Sequence, residues 1–159
     1  MTPAQDEKLR KSLGEILLRE EAFLVELLVR PGKITILADK IKGINLTECI
    51  AINRSLRDEL EDSGIFELNE LEVSSPGADR PLKVLQQYQK YTGWEVHVET
   101  EFNGIVNGTL QAANTDGISV FKKPSPKISK KKINPEQTQY FIPFTEIKKT
   151  NVILSIKKF

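Results

Sequence analysis

One cysteine, Cys49, and one histidine, His97, are all that 159 residues offer of the two side chains most used for metal binding and nucleophilic chemistry. A lone cysteine cannot close an internal disulfide, so a disulfide-stapled secreted fold is excluded and a reducing compartment is compatible. One Cys with one His also falls short of the usual zinc ligand sets, although a Cys-His nucleophile pair stays open. Long apolar runs are absent too. Ala22-Phe23-Leu24-Val25 is among the longest, against the roughly 20 residues a membrane helix needs. Asp6, Glu7, Lys8, Arg10 and Lys11 replace the apolar centre a signal peptide would have. No phosphate loop, dinucleotide fingerprint or nucleophile elbow occurs. These absences leave a cytoplasmic protein with no membrane contact, no cofactor, no metal and no coherent set of acid, base and nucleophile for an enzyme.

What the chain does have is charge, divided unevenly. Residues 1–82 hold 11 Lys+Arg against 16 Asp+Glu, net −5, whereas residues 83–159 hold 12 against 6, net +6. Such asymmetry suggests that one half faces an anion. Six of the later positive charges are Lys122, Lys123, Lys127, Lys130, Lys131 and Lys132, with no acid between positions 122 and 132. Pro124, Pro126 and Pro135 punctuate this stretch and only Ile128 and Ile133 are apolar. Residues 122–137 should therefore form a mobile loop that does not pack. Such a run often serves only solubility; its functional reading is contact with RNA phosphates, salt-sensitive and blind to sequence. Without aromatic residues it would not stack bases.

Periodicity places the elements. Thr2-Pro3-Ala4-Gln5 has the form of a capping box with proline at the first helical position, followed by a stripe of Leu9, Leu13, Ile16 and Leu17. Residues 23–30 alternate as a strand and Pro31-Gly32 turns them into residues 33–37, a hairpin. Asn45 with Glu48 forms a second capping box, with Ile44 placed to staple against Cys49; Leu46, Cys49, Ile50, Leu56 and Leu60 then give an apolar helix face that Gly64 ends. A strand at 70–74, a short helix over 82–91 and strands at 94–100, 105–112, 118–121, 140–144 and 152–156 complete the reading. It describes an α+β chain: an N-terminal α/β domain over 1–82, a connecting helix over 83–92 and a small barrel over 93–159.

The densest segment is Leu71-Glu72-Val73-Ser74-Ser75-Pro76-Gly77-Ala78-Asp79-Arg80-Pro81-Leu82. Pro76-Gly77 suits the central pair of a type II turn, and Pro81 holds Arg80 extended. Ser74 and Ser75 lack a neighbouring base, so they are expected to bond the turn's backbone. Asp79 and Arg80 could pair with each other, meet a partner, or, for Asp79, cap the helix beginning at Pro81.

This segment resembles the signature of the bacterial ribosome maturation factor RimP family. Gly43-Ile44-Asn45-Leu46-Thr47-Glu48-Cys49, Asn53-Arg54-Ser55-Leu56 and Ile142-Pro143-Phe144-Thr145-Glu146-Ile147 extend the likeness along nearly the whole chain. Ala78 stands where the family has a bulkier aliphatic residue, and the lysine-rich insertion is a second departure. The resemblance implies an SH3-like or Sm-like barrel and a monomeric, non-enzymatic factor that binds immature small (30S) ribosomal subunits. Its partners would be a small-subunit ribosomal protein near the decoding region, contacted largely through the barrel, and adjacent rRNA. Ser74, Ser75, Pro76, Gly77, Asp79 and Arg80 are the candidate partner contacts and the six lysines the candidate RNA contacts. By charge alone, the acidic half suits a basic ribosomal protein and the basic half rRNA. A general RNA-binding module without ribosomal specificity is the alternative.

Overall fold

A computed structural model describes residues 1–122 and 139–154. The chain divides into two compact units, Met1–Pro76 and Gly77–Phe159.

The first unit runs α1 (Pro3–Arg19), β1 (Phe23–Arg30), β2 (Lys33–Asp39), α2 (Leu46–Glu59), α3 (Ile65–Leu68) and β3 (Glu70–Ser74). Both expected capping boxes form. Thr2 accepts from the Gln5 amide at 3.1 Å, and Asn45 from the Glu48 amide at 2.8 Å, each answered by the N3 side chain. Caps of this kind are worth about 1 kcal/mol each. Leu9, Leu13, Ile16 and Leu17 of α1 pack with Ile52 and Leu56 of α2 on Ile34, Ile36 and Ala38 of β2, forming one core. The sheet order is β1-β2-β3, antiparallel in the hairpin and parallel between β2 and β3.

Two details depart from simple periodicity. In β1 a register shift between Leu24 and Glu26 leaves Val25 without a paired residue. Leu24 and Leu27, of opposite parity, can therefore both pack against the core, as such bulges allow. In α2 the buried stripe is Cys49, Ile52 and Leu56, while Leu46 and Ile50 are exposed. Two apolar faces were available, and packing against α1 and the sheet selects the one containing Ile52.

Lys40, itself buried, donates through Nζ to Oε2 of Glu48. That bond, with the Asn45 amide and the nearby Lys40 and Lys42 charges, holds the Glu48 carboxyl below the usual carboxylate range. A carboxyl lowered on folding stabilises above its unfolded pKa, and the benefit is lost as pH falls through the folded value. Glu48→Gln, which keeps the capping-box acceptor, should lower the thermal midpoint at pH 7. Melting curves from pH 7 down to 3 should show the gap between variant and wild type closing below about pH 4; a pH-independent gap would assign the effect to packing.

The second unit comprises α4 (Leu85–Lys90) and five strands: β4 (Glu95–Thr100), β5 (Ile105–Ala113), β6 (Gly117–Phe121), β7 (Gln139–Pro143) and β8 (Ile147–Val152). All neighbours are antiparallel in the order β7-β6-β5-β4-β8. Leu82, Tyr88, Val96, Val98, Leu110, Ile118, Val120, Ile142 and Val152 are its core. Residues 77–92, read from sequence as the end of one domain and a connection, thus lie in this unit: Leu82 and Tyr88 are buried in it. The Tyr88 hydroxyl donates to Oγ1 of buried Thr150 at 2.9 Å, and burial pushes the phenol pKa up.

The closed barrel expected from sequence is not found, because no ladder joins β7 to β8 among the described residues. The sheet is nevertheless curled. Only the three-residue 3₁₀ turn Phe144–Glu146 separates these two edge strands. Four residue steps span at most about 14 Å, whereas four inter-strand spacings in a flat sheet need about 19 Å. The last strand also differs from expectation: it is Ile147–Val152 instead of 152–156, and residues 155–159 lie outside the described ones.

Candidate functional site

The signature segment is divided by the boundary between the units: Ser74 ends β3 in the first, and Gly77 opens the second. The turn itself is displaced from the expected one. The Arg80 amide donates to the Gly77 carbonyl at 3.1 Å, which makes Ala78 and Asp79 the central pair. Gly77 does not take positive φ, and neither Ala78 nor Asp79 does, so no left-handed residue is needed and the type II turn on Pro76-Gly77 is absent. A Cβ at 77 would lie 2.5 Å from Oδ1 of Asp79, an exposed side chain that can swing aside, so neither φ nor packing demands glycine there.

Downstream of the turn the backbone is anchored to β8. The Leu82 amide donates to the Thr150 carbonyl at 2.8 Å, and Nδ2 of Asn151 donates to the Asp79 carbonyl at 3.4 Å. Tyr88 meets Phe144 edge to face with centroids 5.2 Å apart. Leu82 and Ile142 are buried in one core with Phe144 and Ile147 packed against it, so the segments Asp79-Arg80-Pro81-Leu82 and Ile142-Pro143-Phe144-Thr145-Glu146-Ile147, distant in sequence, contribute to the same packing in the second unit.

What this anchoring leaves out is the side chains of Asp79 and Arg80. Both residues are exposed and neither side chain has a hydrogen bond or ion pair among the described residues. They do not pair with each other. Nor does Asp79 cap a helix: α4 begins at Leu85, and Oε1 of buried Gln87 accepts from the Lys83 and Val84 amides at 2.6 and 3.1 Å. Ser74 and Ser75 make no side-chain hydrogen bond among the described residues, so the expected bonding of the turn backbone does not occur; the turn closes through Gly77 and Arg80 instead. Of the three readings open for Asp79 and Arg80, the mutual pair and the helix cap do not form, and both side chains face solvent.

The lysine segment leaves β6 after Phe121 and returns at Gln139, which pairs with Phe121. Lys122 is exposed. Lys123, Lys127, Lys130, Lys131 and Lys132, with the expected mobile loop, lie outside the described residues. Two lysines escaped notice in the sequence. Lys148 and Lys149 sit in β8, where a register shift opposite Glu99 and Thr100 leaves Lys148 without a paired residue. Their adjacency, where a strand should alternate, was the available signal.

Elsewhere the chemistry is sparse. Cys49 is buried, and burial, with the Glu48 and Asp39 charges, pushes its thiol pKa up, which disfavours the thiolate. His97 Nδ1 lies 2.7 Å from Oδ1 of its cross-strand neighbour Asn107. Among the described residues, no three His, Cys, Asp or Glu side chains gather as a metal site would require, and no helix is long and apolar enough to cross a membrane. In α2, Asn53 donates to the Leu71 carbonyl at 3.3 Å and accepts from Nε of Arg57 at 2.9 Å, while Leu56 is buried. Asn53 and Leu56 of the Asn53-Arg54-Ser55-Leu56 motif therefore serve the fold, while Arg54 is exposed.

Residues 18–79 match the family model described as the RimP N-terminal domain. The ribosome maturation factor RimP of Cytophaga hutchinsonii is 34% identical over 157 residues, covering 87% of this chain and 89% of that protein. The chain belongs to the RimP family. A second member, the ribosome maturation factor RimP of Porphyromonas gingivalis strain ATCC 33277, is 27% identical over 151 residues, covering 89% of this chain and 93% of its own. Membership thus spans both units, and in the segment that resembles the RimP signature the backbone is anchored while Asp79 and Arg80 are exposed.

Proposed function

We propose that this chain is a ribosome maturation factor that acts on the small (30S) subunit by transient binding to immature particles. One observation carries the reading: a chain of the RimP family, matched along 87% of its length by a ribosome maturation factor, presents Asp79 and Arg80 on an anchored backbone, with neither side chain bonded among the described residues. The partners in this reading are a small-subunit ribosomal protein near the decoding region and the rRNA beside it. The curled five-strand unit is read as the SH3-like or Sm-like module that makes the protein contact, and the factor as a cytoplasmic monomer without catalytic activity.

Function then follows from differential affinity. A factor that binds the immature arrangement of protein and RNA more tightly than the mature one shifts the population toward assembly-competent particles, and leaves when the mature site forms. Asp79 can accept from a cationic side chain and Arg80 can clamp a carboxylate or phosphate. No bond is made or broken in this scheme.

Cosedimentation of the purified protein with immature small-subunit particles, mature small subunits and large subunits, with excess unrelated RNA present, is the test. Binding should be strongest to immature small-subunit particles and should survive the competitor. Equal binding to all particles, lost on adding competitor RNA, would replace the proposal with a general RNA-binding module.

A further inference from the structure

The second unit carries a groove of about 430 Å³ whose floor includes Leu82, Phe144 and Ile147 and whose rim includes Lys83, Lys148 and Lys149. Two of the signature segments supply the floor. The three lysines come from two separated places in the sequence, and two of them are adjacent in one strand. Adjacent strand residues ordinarily point to opposite faces. Here the register shift in β8 leaves Lys148 unpaired, and a bulge of this kind re-aims a side chain and brings neighbours to one side. Lys148 and Lys149 accordingly both border the groove. Lys148 and Lys149 are exposed; the one carboxylate in ion-pair contact with either among the described residues is Glu99, 3.9 Å from Nζ of Lys149. At that separation on an open surface the pair neutralises little.

We infer that this groove is a phosphate-binding site for the RNA backbone, with Lys148 and Lys149 as its principal cations and Lys83 completing the rim. The choice of RNA rests on the ribosomal reading above: ribosomal proteins are generally basic, so the anion that a ribosomal particle offers such a groove is the phosphodiester. Asp79 is tied by its backbone to Asn151 of the same strand, so the signature turn and the lysine bulge are held in one unit. None of the groove's lining residues belongs to the lysine segment that begins at Lys122. The groove supplies a second, structurally fixed electrostatic contact to RNA.

The test uses the full chain, a 5′-labelled 20-nucleotide single-stranded RNA and purified small-subunit particles, with binding measured from 50 to 300 mM KCl. Each lysine that neutralises a phosphate of a single strand adds about 0.7 to the magnitude of the slope of log K against log[salt]. K83A/K148A/K149A should therefore reduce that slope by about 2, while K83R/K148R/K149R, which keeps the charges, should retain it. If the alanine variant unfolds, the glutamine triple replaces it and is held to the same expectation. An unchanged slope in a folded, uncharged triple variant overturns the inference. So does displacement by a poly-glutamate peptide of the groove-dependent binding at concentrations that leave the RNA bound elsewhere, since the site would then be for an acidic protein. The two readings fail separately. Wild-type preference for immature particles with an unchanged slope in the variant removes the groove alone, whereas a slope reduced by about 2 without particle preference removes the ribosomal role and leaves the groove.

Discussion

Gly117→Ala should lower the stability of the second unit by about 1–3 kcal/mol, the usual range for forcing volume into a packed interior. Gly117 opens β6 opposite Pro143 of β7 and is buried. A Cβ at this position would stand 2.3 Å from the Ile142 carbonyl oxygen and 2.8 Å from Cα of Pro143. Those are backbone atoms of a paired strand, and no rotamer change relieves the contact. Relief requires β7 to move away from β6, which strains the ladder that carries buried Ile118 and Ile142. The same amides are committed locally: the Gly117 and Asp116 amides both donate to Oδ1 of Asn114, at 3.1 and 2.8 Å, so the turn cannot easily slide. Gly14→Ala gives the contrast. Gly14 lies inside α1, is exposed and has no heavy atom within 4 Å of an added Cβ. Removing a helix-interior glycine there should raise the stability of the first unit by about 0.5–1 kcal/mol. Urea denaturation followed by Trp94 fluorescence for the second unit and by circular dichroism for the helices separates the two effects. Equal tolerance of both substitutions would mean that the β6–β7 approach is looser than described.

The same distinction between local and tertiary causes explains how much could be read from sequence. Both capping boxes were legible because all their parts lie within four residues, and the hairpin at Pro31-Gly32 was legible for the same reason. The stripe on α1 was legible because α1 offers one apolar face. On α2 there were two, and only the positions of α1 and β2 decide that Ile52 is buried and Ile50 is not. The strand β8 was misplaced for a chemical reason. One of its fully buried positions is Thr150, satisfied by the Tyr88 hydroxyl 62 residues earlier, and a polar residue at an inward position hides a strand from periodicity. The apolar run that begins at its last residue, Val152-Ile153-Leu154, drew the expected strand downstream. The bulge at Val25 was invisible because register is a property of pairs, and at Lys148 the adjacent lysines hinted at one without fixing its register. At the candidate site, the importance of residues 74–82 was legible as an unusual motif. Its turn was not: Pro76-Gly77 suggested a positive-φ turn, whereas the closing bond runs from the Arg80 amide to the Gly77 carbonyl and no residue of the turn takes positive φ.

D79A/R80A should weaken binding to immature small-subunit particles by about a hundredfold or more while leaving the thermal midpoint nearly unchanged. The magnitude follows from losing two charge-assisted contacts, each worth about 1.5–3 kcal/mol where water is excluded on binding. The unchanged midpoint follows from what holds the segment in place. The bonds that anchor it run through the Arg80 and Leu82 amides and the Asp79 carbonyl, all of which survive truncation to alanine. Neither side chain bonds to anything else among the described residues, so none of the second unit's core or ladders depends on them. Asp79 does approach Gly77, and its removal opens space at an exposed turn, which costs little. The two single variants then divide the roles. If Asp79 accepts from a basic ribosomal protein and Arg80 reaches phosphate, R80A should flatten the salt dependence of binding more than D79A does. Loss of the thermal transition in the double variant, with binding lost in proportion, would make the motif a structural element and move the search for the partner contact elsewhere on the chain.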